Sequence, residues 1–162
     1  MPSNIEVNMG EFKIANDGST LTASSVGSCV AIALYDPKLK QGGLAHIMLP
    51  ATPLKENSRA EKSMGNSPGK FADTAIEAML HKLLSQGSKK ENLRAKMAGG
   101  GNMFPQLTNS SFIDIGEQNI SKIKERLKKH QIRLVGEDIK GAYGRTVEFC
   151  LKTGIMTIKT KL

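Results

Sequence analysis

Cysteine, aromatic residues and long apolar runs are all scarce in this chain of 162 residues. Only two cysteines occur, Cys29 and Cys150, which are too few for a disulfide framework and typical of a reducing compartment. The run from Val30 to Tyr35 is the longest apolar stretch, and it is far shorter than the roughly 20 residues of a transmembrane helix. The first ten residues also lack the pattern of a signal peptide. These absences predict a cytoplasmic protein with free thiols and no direct insertion into a membrane.

Acidic residues are outnumbered, with 23 lysines and arginines against 15 aspartates and glutamates and a formal net charge of +8. Such a surplus favours anionic partners without identifying them. Aromatic residues make up 4% of the chain and do not alternate with the lysines, so stacking platforms for bases are not indicated. The basic run from Ser121 to Arg133 is better explained as the solvated face of an amphipathic helix that buries Ile120, Ile123 and Leu127. We expect no nucleic-acid partner.

The order of apolar and polar residues predicts a single domain over residues 1–162, because no repeat or linker divides the chain. An apolar period of 3.6 residues predicts a helix from Phe71 to about Gly87. The polar segment 51–70 predicts a long, mobile loop. Short runs rich in Val, Ile and Thr predict strands at Ile5–Val7, Phe12–Ala15, Leu21–Ser24, Cys29–Tyr35, Leu44–Leu49, Leu93–Ala98, Phe112–Ile115, Arg133–Val135, Thr146–Leu151 and Ile155–Lys161. The expected fold class is α+β, a mixed domain rich in hairpins rather than a series of βαβ units.

One predicted hairpin carries a cysteine and a histidine. If Asp36 to Leu39 form the turn, Cys29 lies directly opposite His46, on the same face of the ribbon. An imidazolium beside a cysteine stabilises the thiolate and so produces a nucleophile. Gly27 and Ser28 would let the backbone turn and direct amide N–H groups at a developing oxyanion. The alternatives are a small buried thiol at position 29 and a structural strand histidine at position 46.

The cysteine and histidine residues of the chain do not indicate metal or cofactor chemistry. No CxxC, HxH or HExxH spacing occurs, and a Cys29–His46 pair would need distant third and fourth ligands. His81 and His130 are explained by their positions on predicted helices. Cys150, between Phe149 and Leu151, is interpreted as a core residue of a strand.

Seven short segments give the chain a resemblance to a known family. They are Val26–Ala31, Gly43–Pro50, Gly69–Ala75, Lys96–Phe104, Ile115–Asn119, Gly136–Asp138 and Gly144–Glu148. In these segments, and over nearly its whole length, the sequence resembles the CheD family of chemoreceptor glutamine deamidases. The resemblance implies a β-sandwich of largely antiparallel strands with flanking helices, related to the cysteine hydrolase fold of bacterial toxin deamidases.

The resemblance also implies a reaction. A Cys29 thiolate would attack the carboxamide of a glutamine side chain on a methyl-accepting chemotaxis receptor. His46 would act as general acid and base, and no metal or organic cofactor would be needed. Relatives carry a threonine, six residues before the cysteine, that orients the histidine, whereas this chain has Ala23 there. Either a backbone carbonyl or a neighbouring hydroxyl, Thr22 or Ser24, would then orient the imidazole.

A second partner is implied as well, the CheC-type phosphatase that acts on the phosphorylated response regulator CheY. In relatives, the loop that corresponds to residues 99–104 is implicated in the surface that contacts this phosphatase, so Phe104 is a candidate binding residue. The alternative is that Phe104 packs back into the core. The alternative function is a non-catalytic regulatory protein that binds CheC and the receptors.

Overall fold

Nine strands, two α-helices and one short 3-10 helix (Lys90–Asn92) make up the regular structure of residues 3–52, 68–104 and 114–161, which are the residues described by the computed structural model. The helices are α1 (Ala72–Ser85) and α2 (Ile115–Lys129). The strands are β1 (Asn4–Glu6), β2 (Phe12–Ala15), β3 (Thr20–Val26), β4 (Val30–Asp36), β5 (Gln41–Ile47), β6 (Arg94–Gly99), β7 (Arg133–Ile139), β8 (Gly144–Cys150) and β9 (Ile155–Lys161).

The strands form two mixed sheets. One has four strands in the order β1-β3-β8-β9, and the other has five in the order β2-β5-β4-β6-β7. All neighbouring strands are antiparallel except β1 with β3 and β6 with β7. The chain moves from the four-stranded to the five-stranded sheet between Val26 and Val30. The segment that contains Cys29 is therefore a crossing between sheets.

Two apolar clusters hold three layers together. The first cluster joins the facing surfaces of the two sheets, with Leu21 and Val147 from one sheet and Ala31 and Leu44 from the other. The second cluster lies on the opposite face of the five-stranded sheet, where Ile32 and Ile47 pack against helix residues such as Met79 and Ile123. Because β4 and β5 are covered on both faces, every residue of β5 is buried.

This architecture confirms the predicted α+β class, and most predicted strands appear with shifted ends. The prediction of a strand over Phe112–Ile115 was wrong at its end, because Asp114 caps α2 and Ile115 is its first residue. The Asp114 carboxylate accepts a hydrogen bond from the Glu117 N–H, which favours a helix start there. Residues 112 and 113 lie outside the described residues, as does most of the predicted loop 51–70.

The predicted register of the β4–β5 hairpin was also wrong. Asp36 pairs with Gln41 and Tyr35 with Gly42, so the loop contains the four residues 37–40. The Asp36 carboxylate accepts hydrogen bonds from the N–H groups of Lys38 and Leu39, and Lys40 has a φ of 54°. These features place the four-residue loop at 37–40 instead of 36–39, one position later than expected, and so move the pairing by two residues. A shift of two keeps each side chain on its face of the sheet.

Candidate active site

Cys29 lies where the chain enters the five-stranded sheet, one residue before β4. The preceding strand β3 has a register shift between Ala23 and Val26, and Ser25 has a φ of 57°. This bulge turns the chain out of one sheet and toward the other. The Cys29 side chain belongs to the cluster between the sheets and is 8% exposed. It also lines a cleft of about 540 Å³, so the thiol is sheltered but has a route to solvent.

His46 lies on the same face of the β4–β5 ribbon as Cys29. Its direct partner is Ala31, not Cys29, and Cys29 is two residues before Ala31. The predicted direct pairing was therefore wrong, yet the two side chains are diagonal neighbours on one surface. Diagonal neighbours in an antiparallel ribbon are about 7 Å apart, within reach of a long or aromatic side chain. The His46 side chain is buried, at 1% exposure.

The two ring nitrogens of His46 have different surroundings. Nδ1 lies 3.4 Å from the carbonyl oxygen of Val7, a long hydrogen bond. Because a carbonyl can only accept, Nδ1 carries the proton in this arrangement. Nε2 is buried and has no hydrogen-bond partner among the described residues. The ring thus presents an unprotonated nitrogen on the face that it shares with Cys29.

None of the three side chains considered for orienting His46 makes a hydrogen bond to it. Ala23 is fully buried between the sheets and has no polar side-chain atom. The Thr22 hydroxyl lies 3.5 Å from the Asn4 side-chain oxygen, and Ser24 is exposed. Thr22 contributes through its backbone instead, because its carbonyl accepts the Val7 N–H at 2.7 Å. Val7 was not identified from the sequence, since its carbonyl function does not depend on its side chain.

Burial keeps both groups of the pair neutral. It raises the pKa of the Cys29 thiol, an effect that the residue's own backbone N–H partly opposes. Burial also lowers the pKa of His46, opposed by the Val7 carbonyl and by the charge of Glu6. Both pKa shifts favour a thiol and an uncharged imidazole over the thiolate and imidazolium considered from the sequence.

The backbone around Cys29 is held in place by hydrogen bonds that its carbonyl groups accept. The Gly27 carbonyl accepts from Gly101 N–H at 2.9 Å and the Cys29 carbonyl from Gly100 N–H at 2.8 Å. The Ser28 carbonyl accepts from the Asn119 side-chain Nδ2 at 3.0 Å. The N–H groups of Gly27 and Ser28 donate to no protein acceptor in the part of the chain that the structure describes, and the Cys29 N–H donates to no other residue there. Sequence analysis assigned no role to Asn119, although it is a polar residue on an otherwise apolar helix face.

The surface around this segment is rich in methionine. Met9 and Met48 line the same cleft as Cys29, and Met103 lines two adjoining clefts of about 440 and 160 Å³. Phe104 lines the smaller of these and is 57% exposed, so it does not pack back into the core. Met side chains adapt to varied partners, which makes this an adaptable apolar surface.

The other candidate residues lie elsewhere. His81 is exposed on α1, and His130 Nε2 lies 2.6 Å from a Glu77 carboxylate oxygen. The interpretation of Cys150 as a core residue was wrong, because its position on β8 faces away from the other sheet and is only partly buried. Within residues 3–52, 68–104 and 114–161, no three His, Cys, Asp or Glu side chains cluster as metal ligands. Neither α1 nor α2 is long and apolar enough to cross a membrane.

The basic run of α2 is largely paired. Lys122 contacts Glu125, Lys124 contacts Glu137, and both Arg126 and Lys129 contact Glu77. The partners lie on α2 itself, on β7 and on α1. Charges paired in this way form a solvated helix face rather than a free cationic patch, in keeping with the amphipathic helix expected from the sequence.

A buried thiol and a histidine with one unpartnered nitrogen thus lie on one face of a ribbon beside a cleft. The sequence model of the CheD family, described as CheD chemotactic sensory transduction, matches residues 48–160. This chain belongs to the CheD family.

Curated relatives extend this similarity across both candidate residues. A probable chemoreceptor glutamine deamidase CheD of Caldanaerobacter subterraneus subsp. tengcongensis is 41% identical over 96% of this chain and 92% of its own. A probable chemoreceptor glutamine deamidase CheD 2 of Geobacter metallireducens is 43% identical over the same shares. The chemoreceptor glutamine deamidase CheD of Halalkalibacterium halodurans is 36% identical over 96% of this chain and 93% of its own.

Proposed function

We propose that this protein hydrolyses the side-chain amides of glutamine residues on methyl-accepting chemotaxis receptors to give glutamate. Cys29 is the nucleophile and His46 the general acid and base. The observation that carries the proposal is the unpartnered Nε2 of His46, on the same face of the ribbon as a cleft-lining thiol. The names of the similar proteins support the reaction and the substrate, since each is a chemoreceptor glutamine deamidase.

The first half of the reaction forms a thioester. Nε2 of His46 takes the thiol proton as the Cys29 sulfur attacks the carboxamide carbon. The carbonyl oxygen becomes an oxyanion that accepts hydrogen bonds from the N–H groups of Ser28 and Cys29. The tetrahedral intermediate collapses as the imidazolium gives its proton to the amide nitrogen. Ammonia leaves, and His46 is neutral again.

The second half returns the enzyme to its starting state. Nε2 takes a proton from water as the water oxygen attacks the thioester carbon. The new tetrahedral intermediate expels the Cys29 thiolate, which recovers its proton from the imidazolium. The product is a glutamate side chain. A neutral resting pair suits this sequence, because His46 must accept a proton in each half.

The Val7 carbonyl is the group that we propose orients His46. It holds the ring in the tautomer that leaves Nε2 free to act as a base, as an acceptor does in related catalytic arrangements. The Thr22 carbonyl in turn binds the Val7 N–H and so fixes this segment beside β3. A backbone acceptor accounts for Ala23 at the position where relatives carry the orienting threonine.

Mass spectrometry of a receptor cytoplasmic fragment tests the proposal. Incubation with the wild-type protein should convert selected glutamines to glutamates, each recognised by the mass difference between an amide and an acid. Cys29→Ala and His46→Ala should abolish the conversion. Cys150→Ala is the matched control, since that thiol lies on the outer face of the other sheet, and it should leave conversion unchanged. Conversion by Cys29→Ala at the wild-type rate would rule out the mechanism.

A CheC-type phosphatase is a second proposed partner, and the exposure of Phe104 favours it. Phe104 stands at the edge of the apolar surface next to the cleft and is available to a protein partner. Phe104→Ala should weaken capture of a CheC phosphatase by about tenfold or more, because exposed aromatic anchors dominate such interfaces. Leu39→Ala is the control, since Leu39 is comparably exposed in the hairpin loop at the other end of β4. Equal capture by both variants would contradict this assignment.

Capture of the phosphatase by a wild-type protein that leaves receptor glutamines unchanged would favour the alternative of a purely regulatory protein. Conversion of the glutamines together with capture would instead support both proposed roles.

A further inference from the structure

Asn119 is a buried polar residue on the apolar face of α2. Its neighbours on that face are Gly116, Ile120, Ile123 and Leu127. Asn119 is 0% exposed, and its Oδ1 has no hydrogen-bond partner among the described residues. A buried acceptor without a partner destabilises the folded protein. An asparagine at this position therefore needs a compensating contact, which its other side-chain atom supplies.

The Nδ2 atom of Asn119 joins the two strands that carry the candidate site. It donates to the Ser28 carbonyl at 3.0 Å and to the Met48 carbonyl at 3.2 Å. Ser28 precedes Cys29, and Met48 lies two residues after His46. The β4–β5 ladder ends at the Val30–Ile47 pair, so both carbonyls lie just beyond its end. One amide group thus holds the open end of the hairpin at a fixed width.

The bond to Ser28 also sets the direction of a neighbouring N–H group. The Ser28 carbonyl and the Cys29 N–H belong to one planar peptide unit and point in opposite directions. A donor on the carbonyl side therefore turns the Cys29 N–H away from α2. Hydrogen bonds in a chain polarise one another, so the same contact makes this N–H a stronger donor.

The helix that carries Asn119 is packed tightly against the neighbouring loop. A Cβ atom placed on Gly116 would lie 2.5 Å from the carbonyl oxygens of Gly100 and Gly101. Those two residues donate the N–H groups that bind the Cys29 and Gly27 carbonyls. One rigid unit is therefore formed by α2, the loop at Gly100 and Gly101, and the segment 27–29. The Asn119 side chain contributes the hydrogen bond that joins α2 to this segment.

We infer that Asn119 is a positioning residue of the active site, which aims the Cys29 N–H at the oxyanion of the tetrahedral intermediate through its bond to the Ser28 carbonyl. The inference rests on the proposed deamidase reaction for its catalytic meaning. Its structural part, the orientation of one peptide unit, can be measured without any substrate.

Kinetics of Asn119→Ala in a Cys150→Ser background test the catalytic part. The kcat for deamidation of a receptor fragment should fall about 10- to 100-fold, the scale on which oxyanion donors act, with KM within about threefold of the parent value. Alkylation of Cys29 by iodoacetamide develops no oxyanion, so its rate should also stay within about threefold. Gln118→Ala, an exposed neighbour on the same helix, is the control and should change neither rate.

Two kinetic outcomes would overturn the inference. Unchanged kcat in Asn119→Ala would remove the catalytic role. If the alkylation rate fell as much as kcat, Asn119 would affect the general reactivity of the Cys29 thiol and not the stabilisation of the oxyanion.

Amide NMR separates the failure of the inference from the failure of the proposed function. In Asn119→Ala the Cys29 amide resonance should move and its hydrogen exchange should change, while those of residues in the β8–β9 hairpin stay in place. If the wild-type protein deamidates nothing but this shift occurs, the proposed function fails and the positioning stands. A Cys29 amide that does not respond to the substitution overturns the inference whatever the activity.

Discussion

The imidazole of His46 is held by the backbone carbonyl of Val7, 3.4 Å from Nδ1, rather than by a side chain. Val7 directly follows β1, and its N–H binds the Thr22 carbonyl on β3. The contact therefore links the histidine on the five-stranded sheet to the edge of the four-stranded one. A backbone acceptor cannot be removed by a point substitution, so its role must be tested through the side chains that might replace it.

Ala23→Thr should destabilise the protein without raising its activity. Ala23 is fully buried between the sheets, so the larger polar side chain would overpack the core at a cost of about 1–3 kcal/mol. His46 Nδ1 already has an acceptor, so the new hydroxyl adds no function. Denaturant unfolding and the rate of receptor deamidation measure the two effects. A severalfold gain in kcat would instead show that the site lacks an orienting residue and that the Val7 contact is insufficient.

Thr22→Val and Ser24→Ala complete this comparison. Both should keep kcat within about twofold of wild type, since neither hydroxyl contacts His46 and the backbone carbonyl of Thr22 is retained. A large loss of kcat in either variant would identify that hydroxyl as the orienting group.

The acid limb of the activity profile should lie below pH 6.5. The proposed mechanism needs neutral His46, and burial lowers the pKa of its imidazole below the ordinary value of about 6.5. Between that lowered pKa and pH 6.5 the unfolded chain binds more protons than the folded one. The contribution of His46 to stability is thus complete above pH 6.5 and is lost as pH falls through the folded pKa.

Measurements of kcat/KM between pH 4.5 and 8 test the predicted acid limb, and measurements of the free energy of unfolding over the same range test the predicted loss of stability. His46→Gln should remove its part of the pH dependence of stability. An acid limb above pH 6.5 would contradict a buried, neutral imidazole.

The sequence predicted the shared face of the two candidate residues but not the register of their strands. Spacing alone placed Cys29 and His46 on one face, and the two-residue error in register preserved that result because side chains alternate with a period of two. The error came from the position of the loop, because the Asx contacts of Asp36 and the left-handed Lys40 place its four residues at 37–40, one position later than expected. Such local preferences are not visible in the pattern of apolar residues.

Contacts made by the backbone could not be predicted from the sequence. Neither the Val7 carbonyl nor the pairing of Gly100 and Gly101 with the segment 27–29 depends on a side chain that could be recognised. Asn119 left a usable signal, a polar residue at a position where the helical period requires an apolar one. Cys150 was misassigned because alternation in β8 puts Val147 and Phe149 inside and leaves position 150 on the outer face.

Iodoacetamide should modify Cys150 before Cys29 in the resting protein at neutral pH. A hydrogen bond to the Thr153 hydroxyl lowers the pKa of the Cys150 thiol, which is only partly buried, whereas burial raises the pKa of Cys29. The thiolate is the reactive form, so the lower pKa and the greater exposure act together. Peptide mapping after limited alkylation measures the order. In Cys150→Ser, the pH profile of Cys29 alkylation should have its midpoint above 9.0. A midpoint near neutral pH would indicate a preformed thiolate–imidazolium pair.

Arg145→Met should lower both stability and activity, because the Arg145 guanidinium anchors the loop that supports the segment 27–29. Its Nη2 donates to the Lys140 carbonyl at 2.8 Å and lies 3.4 Å from an Asp138 carboxylate oxygen. The guanidinium group lies over the Tyr143 ring, 4.6 Å from the ring centre. The anchored loop is bonded to the neighbouring segment, since the Gly141 carbonyl accepts the Asn102 N–H and the Lys140 N–H donates to Gly99. Loss of a charged hydrogen bond in this buried site should cost about 1.5–3 kcal/mol.

Denaturant unfolding and deamidation kinetics of Arg145→Met measure the two losses, with Arg133→Met as the control because Arg133 is exposed on β7. Arg145→Lys should recover only part of the stability, since an ammonium group cannot reproduce the planar stacking on Tyr143 together with the bond to Lys140. Tyr143, Gly144 and Arg145 also line the cleft of about 440 Å³ next to Gly27, so a loosened loop should disturb this cleft as well as the segment 27–29. Wild-type stability in Arg145→Met would mean that the loop is held by its backbone contacts alone.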